Sequence, residues 1–288
     1  MFIDTHCHLN FKDFQLDADK IIKKVSQEKM ALIVVGVQET SIQRAIKYAE
    51  RYNNVYASIG LHPIYLMENT SGKKEKFDFQ KYLNLAKNKK VVAIGEVGLD
   101  YHHFDFIKKQ EITEKEKQIL ARKYIVQQKK IFLQFIKIAN QVKKPLIIHT
   151  WNADKKDKNL VQNALAYDDL LKILKEYPVE KRGVVHSFIG SYKVAQEFIK
   201  EGFFIGLNGI ITYSKSYDKL IKKIGLKNIL IETDAPYLTP QPLQKKSRNN
   251  PLNVKLVAQK IAQVLNISVD KVAQETTQNA QKLFQLSL

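Results

Sequence analysis

Eight short, nearly continuous apolar runs, separated by longer amphipathic stretches, limit what this chain can fold into. The runs are Phe2–Thr5, Ala31–Val37, Val55–Gly60, Val91–Val97, Leu146–Thr150, Val184–Ser187, Phe203–Leu207 and Ile229–Glu232. A strand with one wet face alternates apolar and polar residues. Runs that stay apolar at consecutive positions suit parallel strands covered on both faces. In the intervals, residues such as Ile119, Leu120, Tyr124, Ile131, Phe135, Ile138 and Val142 recur at helical spacing. Eight strands alternating with helices predict an α/β fold of the (β/α)8 TIM-barrel type. A doubly wound open sheet is the competing arrangement. It would more naturally place a glycine-rich phosphate turn after the first strand, where this chain carries a histidine pair.

A barrel of this kind uses about 250 residues, so the 288 residues are read as one domain, 1–288, with no linker rich in Pro, Gly or Ser. Two polar, lysine-rich stretches, 102–127 and 152–167, are expected to be insertions presenting solvated faces. The chain is 44% hydrophobic and 26% charged, which excludes a disordered or collagen-like chain. No apolar run reaches the roughly 18–20 residues needed to span a bilayer. A lone cysteine, Cys7, forms no internal disulfide, and no signal peptide is visible, so a cytoplasmic location is expected. The net charge of +18 attracts polyanions. However, 42 of the 47 cations are lysine and 5 arginine. Charge alone therefore leaves a nucleic-acid substrate and a compositional lysine surplus equally open.

Chemistry gathers where the apolar runs end. In Asp4-Thr5-His6-Cys7-His8, residues two apart share a face of an extended chain, so His6 and His8 form a clamp and Cys7 points away. Glu96 stands at the C-terminal edge of the fourth run, His149 of the fifth and His186 of the sixth, while Asp234 follows the eighth. In a barrel all of these lie on one rim, the catalytic face. A single strand-end histidine is ordinarily a structural group, and a single carboxylate a helix cap. Here four of the seven histidines meet at the rim. Six ligands exceed what one tetrahedral Zn²⁺ with an open position uses. They suit two divalent ions about 3.5–4 Å apart, with Glu96 as the bridge. The nitrogen-rich set favours Zn²⁺, Mn²⁺ or Fe²⁺, with Mg²⁺ able to fill a weaker site.

Taken together, FIDTHCHLNF at 2–11, GLHP at 60–63, AIGEVGLDY at 93–101, PLIIH at 145–149, HSFIG at 186–190, IETDAPYLTP at 231–240 and RNNP at 248–251 resemble the TatD family of metal-dependent hydrolases. That family is described as deoxyribonucleases on an amidohydrolase-like barrel. The resemblance implies His6, His8 and Asp234 on one metal, His149 and His186 on the other, and Glu96 on both. It also implies a nucleic-acid substrate, DNA first, cleaved by a metal-activated water. Asp234, able to reach both a metal and that water, is the candidate general base. The chain departs from the family pattern at Thr150-Trp151, where a small residue and an arginine are usual, and at Asn250, where an acidic residue is common. His62 is read equally as a substrate-phosphate contact or an outer-shell group, and Arg248 as a phosphate contact ahead of a surface salt bridge. Asp100 is expected to brace its loop, His102 and His103 to lie on the surface, Trp151 to pack against its loop and Cys7 to fill a buried space. Two alternatives stand beside the nuclease: an amidohydrolase acting on a cyclic amide, lactone or phosphotriester, and a nucleic-acid-binding barrel with structural metals.

Overall fold

The computed structural model describes residues 1–67, 74–244 and 247–287. The chain alternates strand and helix. β1 (Phe2–Cys7) leads to α1 (Ala18–Gln27), β2 (Met30–Gly36) to α2 (Glu39–Arg51), and β3 (Val55–Ile59) to α3 (Phe79–Ala86). β4 (Val91–Asp100) is followed by the short α4 (Asp105–Lys108) and the long α5 (Glu114–Val142), and β5 (Leu146–Trp151) by α6 (Ala166–Glu176). β6 (Gly183–Val185) leads to α7 (Tyr192–Lys200), β7 (Phe204–Leu207) to α8 (Ser216–Ile224), and β8 (Ile229–Ile231) to α9 (Val254–Leu265) and α10 (Val269–Phe284).

All neighbouring strands pair in parallel, in the order β1 to β8. The sheet then curls back on itself. Cys7 bridges Ala235, the His8 amide donates to the Ala235 carbonyl at 2.8 Å, and the Asp234 amide donates to the His6 carbonyl at 2.8 Å. This is the (β/α)8 barrel that the eight apolar runs predict, and its seam is made by candidate site residues. Along β2 the period of two sorts the side chains. Ala31, Ile33 and Val35 pack with Ala93, Ile147, Val184 and Leu230 from other strands. Leu32 and Val34 pack with helix residues such as Ile22, Val25 and Ile42. The inner cluster also takes in Leu283 and Phe284 at the end of α10 and Leu286 just past it, and the Tyr56 hydroxyl donates to the Ser287 carbonyl at 2.6 Å.

The two lysine-rich stretches meet. The first supplies α4 and the opening turns of α5, the second a 3-10 turn at Lys155–Asp157, and Lys108 Nζ lies 2.7 Å from Asp157 Oδ2. α5 starts at a reciprocal cap between Thr113 and Glu116 and stops where Lys143 turns left-handed. Its buried face begins at Ala121 and continues through Tyr124, Ile125, Gln128 and Phe132. Ile119, read from its spacing as part of that face, is instead 61% exposed beside Val126 at 59%. Two residues ahead of Ala121 means about 200° around the helix, which turns Ile119 away from the core. Among the described residues no helix is long and apolar enough to cross a membrane.

Candidate metal centre

β1 reaches the rim with its pairing to β2 shifted between Asp4 and Cys7. Behind the histidines, the buried Asp4 carboxylate accepts from the His6 amide (3.2 Å), the Thr233 amide (2.9 Å) and the Thr233 hydroxyl (2.6 Å), which pins β1 to the chain just past β8. Cys7 is fully buried, with Sγ 3.6 Å from the Ile33 carbonyl, and burial pushes its thiol well up. It is a filler and no nucleophile. Asp234 takes a left-handed φ of 56°, a region Asp tolerates better than most residues, and its carboxylate borders the barrel mouth. Gly60, in the Gly-Leu-His-Pro segment, lies so close to the Glu96 backbone that any Cβ would collide with it.

The six strand-end residues converge around Glu96, whose two oxygens face different partners. Oε2 lies 3.4 Å from His6 Nε2 and 3.8 Å from His8 Nε2, and Asp234 Oδ1 stands 3.7 and 3.3 Å from the same two nitrogens. Oε1 lies 3.2 Å from His149 Nδ1, 2.8 Å from His186 Nε2 and 3.4 Å from His62 Nε2. Donors each about 2.0–2.2 Å from one ion stand roughly 3–3.6 Å from one another, so these separations suit cation ligation. The most pointed contact is between His6 Nε2 and His8 Nε2, 3.1 Å apart. Two imidazole lone pairs aimed at each other repel unless a proton or a cation lies between them. The donor set therefore fits divalent metal.

Electrostatics agree with that fit. Burial alone would raise Glu96, but His186, His62 and His6 hold it well below the usual carboxylate range. Asp234 is likewise lowered against burial by His8, His6 and His186. Burial opposes a charge on His149, yet Asp100 and Glu96 raise it to about 9, and Glu96 with Glu232 holds His186 well up. Burial keeps His6 and His62 low, helped by repulsion from His186 and His149 respectively. Both carboxylates remain anionic, and protons occupy imidazoles that a metal would claim.

Two outer carboxylates steer these rings, and the residues alone did not reveal them. Asp100 Oδ2 lies 2.8 Å from His149 Nε2, leaving Nδ1 for Glu96. Its Oδ1 accepts from the His102 and His103 amides, so it also braces its loop as expected. Glu232, fully buried, stands 3.4 Å from His186 Nδ1 and accepts from the Ser187 amide at 2.6 Å. A carboxylate behind a ligating histidine fixes its tautomer and orientation. A signal for Asp100 was present: β4 runs on to residue 100, which puts Glu96, Gly98 and Asp100 on one face.

Other expectations divide. His62 lies at the mouth, its Nδ1 accepting from the Ile64 amide at 3.2 Å while Nε2 faces Glu96. Arg248 must be corrected. Its guanidinium lies 2.5 Å from Asp17 Oδ2, donates to the Asp13 carbonyl and covers the Phe14 ring at 4.1 Å. Those two bonds and the ring contact hold the guanidinium against the turn before α1, and Arg248 does not line the cavity. His102 and His103 are also more involved than surface residues. His102 stacks on Trp151 with centroids 4.2 Å apart, and His103 Nδ1 lies 2.7 Å from Asp100 Oδ2. Trp151, expected to pack against its own loop, stacks instead on His102 from the loop after β4, and it also borders the mouth.

The mouth is a cavity of about 430 Å³ with the donor cluster at its floor and Phe11, Tyr65, Trp151 and Tyr237 among its walls. The family described as TatD related DNase matches residues 3–285. The uncharacterized metal-dependent hydrolase YabD of Bacillus subtilis is 35% identical, with all of both chains covered. Deoxyribonuclease TATDN3 of Homo sapiens is 32% identical, over 98% of this chain and 94% of that one. The solved structure of YJJV, a TatD homolog from Escherichia coli, superposes with a TM-score of 0.77 at 28% identity, covering 99% and 98%. The barrel, the converging donors and these likenesses agree: the chain belongs to the TatD family and is a metal-dependent hydrolase of the TatD type.

Proposed function

We propose that the chain is a deoxyribonuclease that holds two divalent ions and hydrolyses phosphodiester bonds. The division of Glu96 between two sets of donors carries this reading. His6, His8 and Asp234 would hold one ion, His149 and His186 the other, and Glu96 would give one oxygen to each. The nitrogen-rich set favours Zn²⁺, Mn²⁺ or Fe²⁺. Bound ions supply Lewis acidity toward the phosphate and lower the pKa of the attacking water. Asp234 faces the cavity, is held ionised by His8 and its neighbours, and accepts the proton of that water. Glu232 lies behind His186 and does not line the cavity, so it is not placed to take that proton.

The walls supply the rest of the recognition. Phe11, Tyr65, Trp151 and Tyr237 offer faces on which bases of a single strand can stack. The net charge of +18 draws a polyanion toward the rim. A single buried thiol suits a reducing compartment, in line with a cytoplasmic site of action. The test is metal-reconstituted protein incubated with end-labelled single- and double-stranded DNA and RNA, beside lactone and amide panels. DNA cleavage that chelator abolishes is the expected result. Full metal occupancy with no turnover of any phosphodiester, together with hydrolysis of a lactone or amide, would replace the nuclease with an amidohydrolase.

A further inference from the structure

Cleaving a phosphodiester requires a proton for the departing sugar oxygen as well as a base for the water. Five histidines line the mouth: His8, His62, His103, His149 and His186. Four of them face a Glu96 oxygen at between 2.8 and 3.8 Å. His103 does not. Its Nδ1 is bound to Asp100 Oδ2 at 2.7 Å, its side chain is 35% exposed, and its Nε2 has no hydrogen-bond partner among the described residues. A buried carboxylate on one imidazole nitrogen with the other nitrogen free is the arrangement that fixes a histidine for proton transfer.

Topology places this ring well. With the strands in closed order, β4 and β8 stand four places apart, on opposite sides of the barrel. Asp234 follows β8 and His103 follows β4. An in-line displacement needs its attacking and leaving oxygens on opposite sides of phosphorus. A base at Asp234 and an acid at His103 meet that demand across one cavity.

We infer that His103 is the general acid of the phosphodiesterase reaction, held in place by Asp100; this rests on the reading of the chain as a phosphodiesterase. The water oxygen bonds to phosphorus and its proton passes to Asp234. The bond from phosphorus to the leaving sugar oxygen breaks, the electron pair stays on that oxygen, and it takes the Nε2 proton of the imidazolium. The neutral ring keeps its Nδ1 proton toward Asp100. Solvent then returns a proton to His103 and removes one from Asp234, so the cycle closes on hydrolysis alone. His102 is unsuited to the role, because it stacks on Trp151 and does not border the cavity.

Leaving-group dependence separates acid catalysis from a structural role. His103→Gln and His103→Ala, each with metal content equal to wild type, are assayed on a DNA oligonucleotide and on bis(p-nitrophenyl) phosphate. Nitrophenolate departs without needing a proton. Both variants are expected to lose about 10²-fold or more in kcat on DNA and to stay within about threefold on the nitrophenyl diester. Equal loss on both substrates, or no loss on DNA, overturns the assignment of His103 alone. A wild-type enzyme inert toward both diesters overturns the phosphodiesterase reading and this inference with it.

Discussion

Single side chains at the rim have separable duties. Glu96 is shared between two donor sets, so Glu96→Ala should lose metal occupancy together with rate. Asp234→Asn keeps the shape and can still offer an oxygen to an ion, but it cannot take a proton. At saturating metal its loss should fall on kcat, by about 10²–10⁴-fold. Near-normal kcat with full metal would move the base elsewhere. His149 gives a prediction about pH. In the metal-free fold its pKa is raised to about 9, chiefly by Asp100 and Glu96 acting against burial. A group raised above its unfolded value of about 6.5 adds stability that is complete below that value and fades as pH climbs through 9. Chelator-treated protein should therefore lose stability between pH 6 and 9.5, with His149 contributing about 3 kcal/mol. Denaturant titrations at the two pH values read this directly. His149→Asn should flatten part of the decline, the rest belonging to His186, which is raised as well. A stability indifferent to pH over that window would show that the imidazole is not paired as described.

At the scale of elements, the apolar runs made the barrel readable, because strands covered on both faces announce themselves without help from distant residues. All eight runs overlap strands, and the His and carboxylate donors converge at or just past the ends of several of them. What stayed hidden depends on strand length and on loops folding back. The apolar run of β4 stops at Val97. The strand continues to Asp100, and those three residues turn a loop brace into the partner of His149. Arg248 shows the second limit: an arginine ahead of a helix start advertises anion binding, while the acceptors that claim it lie more than 230 residues earlier. It fastens the loop before α9 to the turn before α1. Arg248→Met should leave kcat and KM within about twofold of wild type. It should cost about 1 kcal/mol of stability, the scale of a half-exposed ion pair with a cation–π contact. A rise in KM for DNA with unchanged stability would return Arg248 to the substrate.

At the scale of the whole molecule, charge and site geometry make different demands. The cavity floor sets two ionised carboxylates, Glu96 and Asp234, against the protonated imidazoles of His149 and His186. The chain as a whole carries +18, almost all of its cations being lysine. Lysine is a compact, strongly hydrated point charge, without the planar fork that reads phosphate or base edges bidentately. Such a surface gathers a polyanion from a distance but leaves recognition to the walls of the mouth. Each phosphate that displaces counterions should make binding weaker as salt rises, whatever the sequence. Raising salt from about 50 to about 200 mM, near the range over which multi-phosphate contacts lose most of their affinity, should raise KM for a long oligonucleotide and leave kcat nearly constant. A dinucleotide, which reaches the cavity but little of the surface, should show a much smaller rise, and base preference should be the same at both salt levels. If KM for the long strand stays flat while a neutral ester is turned over well, the charge plays no part in substrate capture, and the mouth serves a small uncharged substrate.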